Sequence, residues 1–220
     1  MCFSETTSWV TLAVGTICNV VSICYLLGQT KKDSRALIPM LFVVLWQFSL
    51  LMQLPDALAW RNIKRDRSTT SSGRLAYILN VTQPLIAWVA AMVIVWKMGS
   101  SPITLYPATF AMVVYCILLL ISLIRGENSY DVEPTAKGCS TLTYRWWPRT
   151  STLVFYWLVI ILAVLAIPSL KWAALEISIF IISFVIGLVL ANFCSSGSMW
   201  CWTVASAGAI TTIAYLLEMR

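Results

Sequence analysis

The chain of 220 residues contains no histidine. That absence removes the commonest general base and metal ligand. Ser-His hydrolases, His-based zinc amidases, haem held by His and copper–His centres are excluded with it. Charge is scarce as well: 11% of residues are charged against 60% hydrophobic, and the mean hydropathy is +0.83. A soluble domain of this length would not cover so much apolar side chain with so little charge. None of the 7 cysteines stands in a CxxC pair, so a thioredoxin-like or quinone-coupled thiol relay has no centre. No glycine-rich loop cradles a phosphate, and no lysine sits mid-span to carry a Schiff base. Lys97 and Lys171 fall at span ends, where their stems snorkel to the interface. No catalytic residue, metal or cofactor follows from what remains.

What is present is apolar sequence in long runs. A helix needs about 20 apolar residues to cross roughly 30 Å of hydrocarbon. Seven stretches meet that length, at about 8–28, 36–60, 75–97, 103–124, 151–170, 172–192 and 200–217. Glycine, proline and charge punctuate them at Gly28 to Arg35, Arg61 to Arg74, Gly99 to Pro102 and Arg125 to Thr150. Continuous runs argue against a lipid-embedded β-barrel, whose strands alternate. The expected fold is all-α: one polytopic domain over 1–220, with seven transmembrane helices and short loops. The fifth and sixth spans, parted by Pro168, Ser169 and Lys171, are expected to form a tight antiparallel hairpin. The first span lacks a basic n-region, so it does not read as a cleaved signal peptide. No internal repeat relates the first and last three spans.

Sidedness rests on the basic residues. Seven spans put the N-terminus on the face of the second, fourth and sixth loops. Those loops carry Arg61, Lys64, Arg65, Arg67, Arg74, Arg125, Lys137, Arg145 and Arg149; the other face carries Lys31, Lys32, Arg35, Lys97, Lys171 and Arg220. The excess points to a cytoplasmic N-terminus, although Glu5 before the first span and Lys31–Lys32 after it point the other way. The net charge of +6 suits juxtamembrane contact with anionic lipid. The run Arg61 to Arg67 is short and lacks interleaved aromatics, so no nucleic-acid partner is expected.

The same topology gathers the unusual residues at the N-terminal face. The second span ends with Met52-Gln53-Leu54-Pro55-Asp56 and Trp60. The third is expected to start with Asn80-Val81-Thr82-Gln83-Pro84. The fourth loop holds Cys139 and Tyr144-Arg145-Trp146-Trp147. Asn192, Cys194, Trp200, Cys201 and Trp202 flank the sixth loop, and Cys2 and Ser4 come from the terminus. Most of the 11 tryptophans read as interfacial belt residues. Asp56 differs, because an ionisable group inside a span costs about 2.5–3.5 kcal/mol at its centre. Pro55 beside it frees a backbone carbonyl and kinks the helix. Gln53, Asp56 and Trp60 share one helix face, and Asn80 and Gln83 share another. The two groups form a candidate polar network, either a binding site or the glue between two helices.

Other features read more simply. Ser8, Thr11, Gly15, Cys18 and Ser22 make a small-residue stripe suited to close packing of the first helix, with a cavity wall as the alternative. Glu176 stands early in the sixth span near Lys171, where the helix dipole favours an acid, and no chemistry is assigned to it. Asn80-Val81-Thr82 matches a glycosylation sequon but lies too near the membrane to serve as one. Cys2, Cys139, Cys194 and Cys201 would share a face. Their spacing matches no zinc motif, and free thiols, a disulfide or a soft metal site all remain open.

Met1-Cys2-Phe3-Ser4, Gln53-x-x-Asp56-x-x-x-Trp60, Gln83-Pro84 and Trp200-Cys201 together resemble the uncharacterised "MCFS" seven-helix membrane proteins of bacteria and of large DNA viruses of algae and protists. The resemblance runs the full length on short motifs. That family usually has Glu where this chain has Asp56, which keeps a carboxylate with a shorter reach. It usually has Phe where this chain has Trp202. The resemblance implies the seven-helix topology and the one-face cluster; the family has no established activity to carry over.

Three functions fit these residues. The first is a small channel or transporter for an ion or small molecule, with its site at the N-terminal face: Gln53, Asp56, Trp60, Asn80, Gln83, Cys2, Ser4, Trp146, Trp200 and Cys201. The second is a structural or accessory protein of a viral inner membrane or membrane complex, which suits the short loops and the lack of catalytic groups. The third is a membrane enzyme with Cys2 or Cys201 as thiol nucleophile and Asp56 as helper. The expected partners are the lipid bilayer, an ion or small molecule, and further copies of the chain.

Overall fold

The computed structural model describes residues 4–126, 130–134, 142–144, 150–190 and 196–218. Its helices are α1 (Glu5–Thr30), α2 (Leu37–Leu50), α3 (Gln53–Lys64), α4 (Thr70–Lys97), α5 (Tyr106–Ile124), α6 (Thr150–Leu165), α7 (Leu170–Leu190) and α8 (Ser196–Glu218). Single 3₁₀ turns at Ser34–Ala36 and Pro102–Leu105 lead into α2 and α5. One antiparallel hairpin, β1 (Val132–Pro134) and β2 (Leu142–Tyr144), pairs Val132 with Tyr144 and Pro134 with Leu142. Among the described residues, four stretches are long and apolar enough to cross a membrane: Glu5–Thr30, Ser34–Lys64, Thr70–Lys97 and Pro102–Ile124.

The helices run up and down between two ends. At one end Ser4 caps α1, its Oγ accepting from the Thr7 N–H at 3.1 Å, and Lys64 pairs with Glu5 at 3.2 Å. At the other end Asp33, Arg35, Met98, Ser169 and Glu218 surround a shallow cavity of about 130 Å³, beside which Lys171 pairs with Glu218 at 3.3 Å.

The second expected span, 36–60, is not one helix. It breaks at Leu51–Met52 into α2 and α3. Pro55 supplies the cause: without an N–H it cannot bond to the Leu51 carbonyl four residues back. That carbonyl accepts from Leu54 N–H at 3.0 Å instead, and Met52 N–H turns to Ser49 at 3.2 Å. The third span also starts earlier than expected. It begins at Thr70 rather than 75, so Asn80 and Gln83 lie within α4 and not at its start. Pro84, inside α4, likewise cannot bond to the Asn80 carbonyl, and the Tyr115 hydroxyl of α5 donates to the adjacent Val81 carbonyl at 3.1 Å.

The buried face of α1 is Ser8, Thr11, Gly15, Asn19, Ser22 and Leu26. The expected stripe is corrected at one place, where Asn19 rather than the half-buried Cys18 occupies the seam. Small residues let α1 approach α8 and α2 closely. A Cβ at Gly15 would press on Leu50 and Ala205, and one at Gly208 would overlap Asn19 Oδ1. Asn19 Nδ2 donates to Gln47 Oε1 at 3.0 Å, and Gln47 Nε2 donates to Thr16 Oγ1 at 3.2 Å, which ties α1 to α2 through polar groups.

α6 and α7 are joined tightly through residues 166–169, where Ser169 N–H donates to Ile167 O at 2.7 Å. They then take different partners: α6 lies on α5 and α4, α7 on α8. The space between them is closed at the back by α2.

Candidate functional site

Besides the Asn19–Gln47–Thr16 tie, two polar regions with a buried acid stand in the apolar interior of the described residues. The first follows from the broken span. Gln53 and Asp56 lie in the first turn of α3 and are buried, Asp56 being 1% exposed. Peptide dipoles at a helix N-terminus favour a carboxylate there. Asp56 lies about 12 Å along α3 from Lys64, and Gln83 about 20 Å along α4 from Thr70, at 1.5 Å per residue. These residues are set well inside the bundle rather than at its mouth.

On α4, Asn80 and Gln83 share a partner on α6, a residue the sequence reading did not single out. The buried Tyr156 hydroxyl meets Gln83 Oε1 in a short hydrogen bond and lies 3.3 Å from Asn80 Oδ1. The Tyr156 ring stands edge-on to Tyr115 at 6.2 Å and to Trp157 at 4.7 Å. Both Pro84-side backbone and amide side chains are therefore met by tyrosine hydroxyls from the two neighbouring helices.

Over this region lies the hairpin. Val132 and Leu142 pack with Ala59, Ala76 and Tyr77, and Trp60 and Met52 border the same cluster. The Thr69 hydroxyl donates to Val132 O at 3.0 Å and accepts from Val132 N–H at 3.1 Å. Gly73 leaves no room for a Cβ beneath the Tyr130 carbonyl, which brings the incoming strand directly onto α4. Arg74 stacks on Tyr130 at 5.6 Å. Trp60 is thus a packing residue beneath the hairpin.

Of the remaining candidates, Ser4 is the N-cap of α1. Cys2 and Trp146 lie outside the described residues, as do Cys139 and Cys194. Trp200 and Cys201 belong to the first turns of α8, with side chains outside the described ones. Cys18, Cys24 and Cys116 are free, and no group of three or more acidic or thiol residues suited to a metal occurs among the described residues.

The second region is Glu176. It is 3% exposed, and its carboxylate turns inward. Trp46 Nε1–H donates to Oε2 at 2.7 Å, and the Thr211 hydroxyl meets Oε1 at 2.8 Å. Helices α2, α7 and α8 are thereby joined at one acid. Lys171, its expected neighbour, pairs instead with Glu218. The sequence signal was an ionisable residue within an apolar run, Ala173-Ala174-Leu175-Glu176-Ile177. The nearby lysine and helix start masked it.

Beside Glu176 is a cavity of about 180 Å³ lined by Phe42, Leu45 and Trp46 of α2, by Trp157, Ile160, Ile161 and Val164 of α6, and by Ile177, Phe180 and Ile181 of α7. Trp157 and Phe180 meet edge to face at 4.7 Å. Since Tyr156 and Trp157 are adjacent and in contact, the two polar regions connect through α6.

A scan of protein-family models finds no match to this chain, and searches of curated proteins and of solved structures find none either. Fold and site together define an all-helical protein whose apolar helices fit a membrane, with the acids Asp56 and Glu176 buried among the described residues.

Proposed function

We propose that the chain crosses the bilayer seven times as a small channel or transporter for an ion or small solute, with its polar site between α3, α4 and α6. The observation that carries this reading is the break at Leu51–Met52, which sets buried Asp56 in the first turn of a half-helix. Irregular backbone at membrane depth is tolerated where it is enclosed by protein or lines a solute path, and broken helices form the substrate sites of many transporters. An acid placed there is costly, about 2.5–3.5 kcal/mol at a span centre, and transport chemistry is a reason to keep one. In this reading the polar groups of the path are the buried Gln53 and Asp56 of α3 and the Asn80–Gln83–Tyr156 cluster of α4 and α6. The N-terminus and the Arg61 to Arg74 turn face the cytoplasm, and the resemblance to the "MCFS" proteins agrees with the crossing count.

An accessory role in a membrane assembly is favoured by one observation, the small-residue seam of α1 against α8, which binds a compact body without requiring a path. The two readings separate in purified protein reconstituted into liposomes loaded with a pH-sensitive or potassium-sensitive dye. Transport predicts protein-dependent dissipation of one imposed gradient above protein-free vesicles. An accessory protein leaves every gradient intact.

A further inference from the structure

We propose that the crevice between α6 and α7 is a binding site, open to lipid, for a quaternary ammonium head on an apolar tail. Three observations carry it. Glu176 is buried and accepts from Trp46 and Thr211, and Lys171, the nearest lysine in sequence, pairs with Glu218 instead. Among the described residues no lysine or arginine neutralises it. Four aromatic side chains, Phe42, Trp46, Trp157 and Phe180, line the adjoining cavity. The mouth of that cavity is bordered by Ile161 and Ile181, which are 43% and 53% exposed on the outer surface of the bundle.

The chemistry of the wall selects the ligand. Apart from Glu176, every lining residue is apolar or aromatic. A metal ion or a primary ammonium entering there would lose its water and find too few oxygen acceptors. A methylated ammonium has no N–H to satisfy and binds to aromatic faces through their quadrupoles. Glu176 strengthens that attraction in two ways. Its charge acts across a water-poor interior, where Coulomb attraction is weakly screened. It also draws on the Trp46 N–H, which makes that indole, one wall of the cavity, richer in electron density. The volume, about 180 Å³, suits a compact head, with the tail leaving past Ile161 and Ile181 into the acyl region. A zwitterionic phosphocholine would bring its phosphate against the same acid and is disfavoured.

The test is equilibrium binding of radiolabelled decyltrimethylammonium to the whole chain in maltoside micelles, with decylphosphocholine and decanol as competitors. This readout needs no transport, so its failure and a failure to move solute are distinct results. Saturable binding is expected, displaced by unlabelled ammonium and little affected by the other two compounds. Glu176→Gln should weaken it at least tenfold. That variant keeps the shape and can keep the hydrogen bonds: the amide oxygen accepts from Trp46, and the amide N–H donates to Thr211 Oγ1, whose hydroxyl proton then turns from position 176 to the Ala207 carbonyl 2.9 Å away. Ile161→Trp, at the mouth and outside the network, should also abolish binding. Absence of saturable binding to the unmodified protein overturns the proposal. So does equal displacement by decanol, which would mark an apolar cavity only, or unchanged affinity in either variant.

Discussion

Asp56 and Glu176 are both buried acids on apolar helices, and they are held in different ways. Asp56 belongs to a stretch whose backbone is already interrupted: Pro55 breaks the span, and the carboxylate occupies the first turn that follows. Glu176 sits in an unbroken helix, and its hydrogen bonds come from side chains of two other helices. The first occupies a helix N-terminus, where peptide dipoles favour a carboxylate; the second is held by tertiary contacts. An acid of the first kind can change its surroundings when a half-helix moves. One of the second kind can do so only if three helices part. Under the transport function proposed above, that contrast gives solute handling to Asp56 and a fixed electrostatic role to Glu176.

The comparison is broken most severely by moving α8. Gly208 and Thr211 lie one turn apart on that helix, and Gly208→Val would drive a side chain into Asn19 of α1. A loss of about 3 kcal/mol is expected, the upper range for overpacking, seen as a large drop in the thermal midpoint in detergent. Glu176→Ala should come next. It leaves the Trp46 N–H without its acceptor in an apolar setting and opens a void, at about 2 kcal/mol, while Glu176→Gln should recover most of that stability. Trp9→Ala removes a lipid-side residue that is 38% exposed and should change the midpoint by no more than about 0.5 kcal/mol. Asp56→Ala is expected to exceed it clearly.

The smallest effect is at the loop between α1 and α2. Hydrogen bonds from the Arg35 backbone and guanidinium hold the Asp33 carboxyl below its ordinary range. Its folded value is the lower one, so its contribution is present above the ordinary carboxylate pKa and is lost as pH falls through the depressed value. The pair is solvent-exposed, and such pairs contribute little. Asp33→Asn should flatten the acid limb of a stability-against-pH curve only slightly, without altering stability at neutral pH by more than about 0.5 kcal/mol.

Much of the architecture is legible in the sequence because apolar run length and punctuation are local properties. The turns at residues 31–36 and 98–102 and the α6–α7 connection fall where glycine, proline and charge place them. Pro55 announced a disturbance, but a run of apolar residues on both sides hid that the helical hydrogen bonding is interrupted at Leu51–Met52. Thr70 to Arg74 looked like loop because its serines, threonines and glycine are turn formers; the helix extends there under the hairpin, and Gly73 is needed for the approach of Tyr130. Asn19 escaped because it differs from Cys18 by one position, and only the direction of α8 fixes which of them faces inward. The partnership of Tyr156 with Asn80 and Gln83, and of Trp46 and Thr211 with Glu176, spans between 35 and 130 residues of sequence. No local pattern encodes separations of that size.

Whether solute handling belongs to Asp56 and not to Glu176 is decided by gradient dissipation in liposomes containing Asp56→Asn beside liposomes containing Glu176→Gln, each at matched content of folded protein. Asp56→Asn keeps the size and much of the hydrogen bonding while removing the charge. Asp56→Asn should abolish dissipation, and Glu176→Gln should keep it within about twofold of the unmodified protein, a difference of about 0.4 kcal/mol in barrier. Full dissipation by the Asp56 variant, or its loss in the Glu176 variant alone, would contradict the assignment to Asp56.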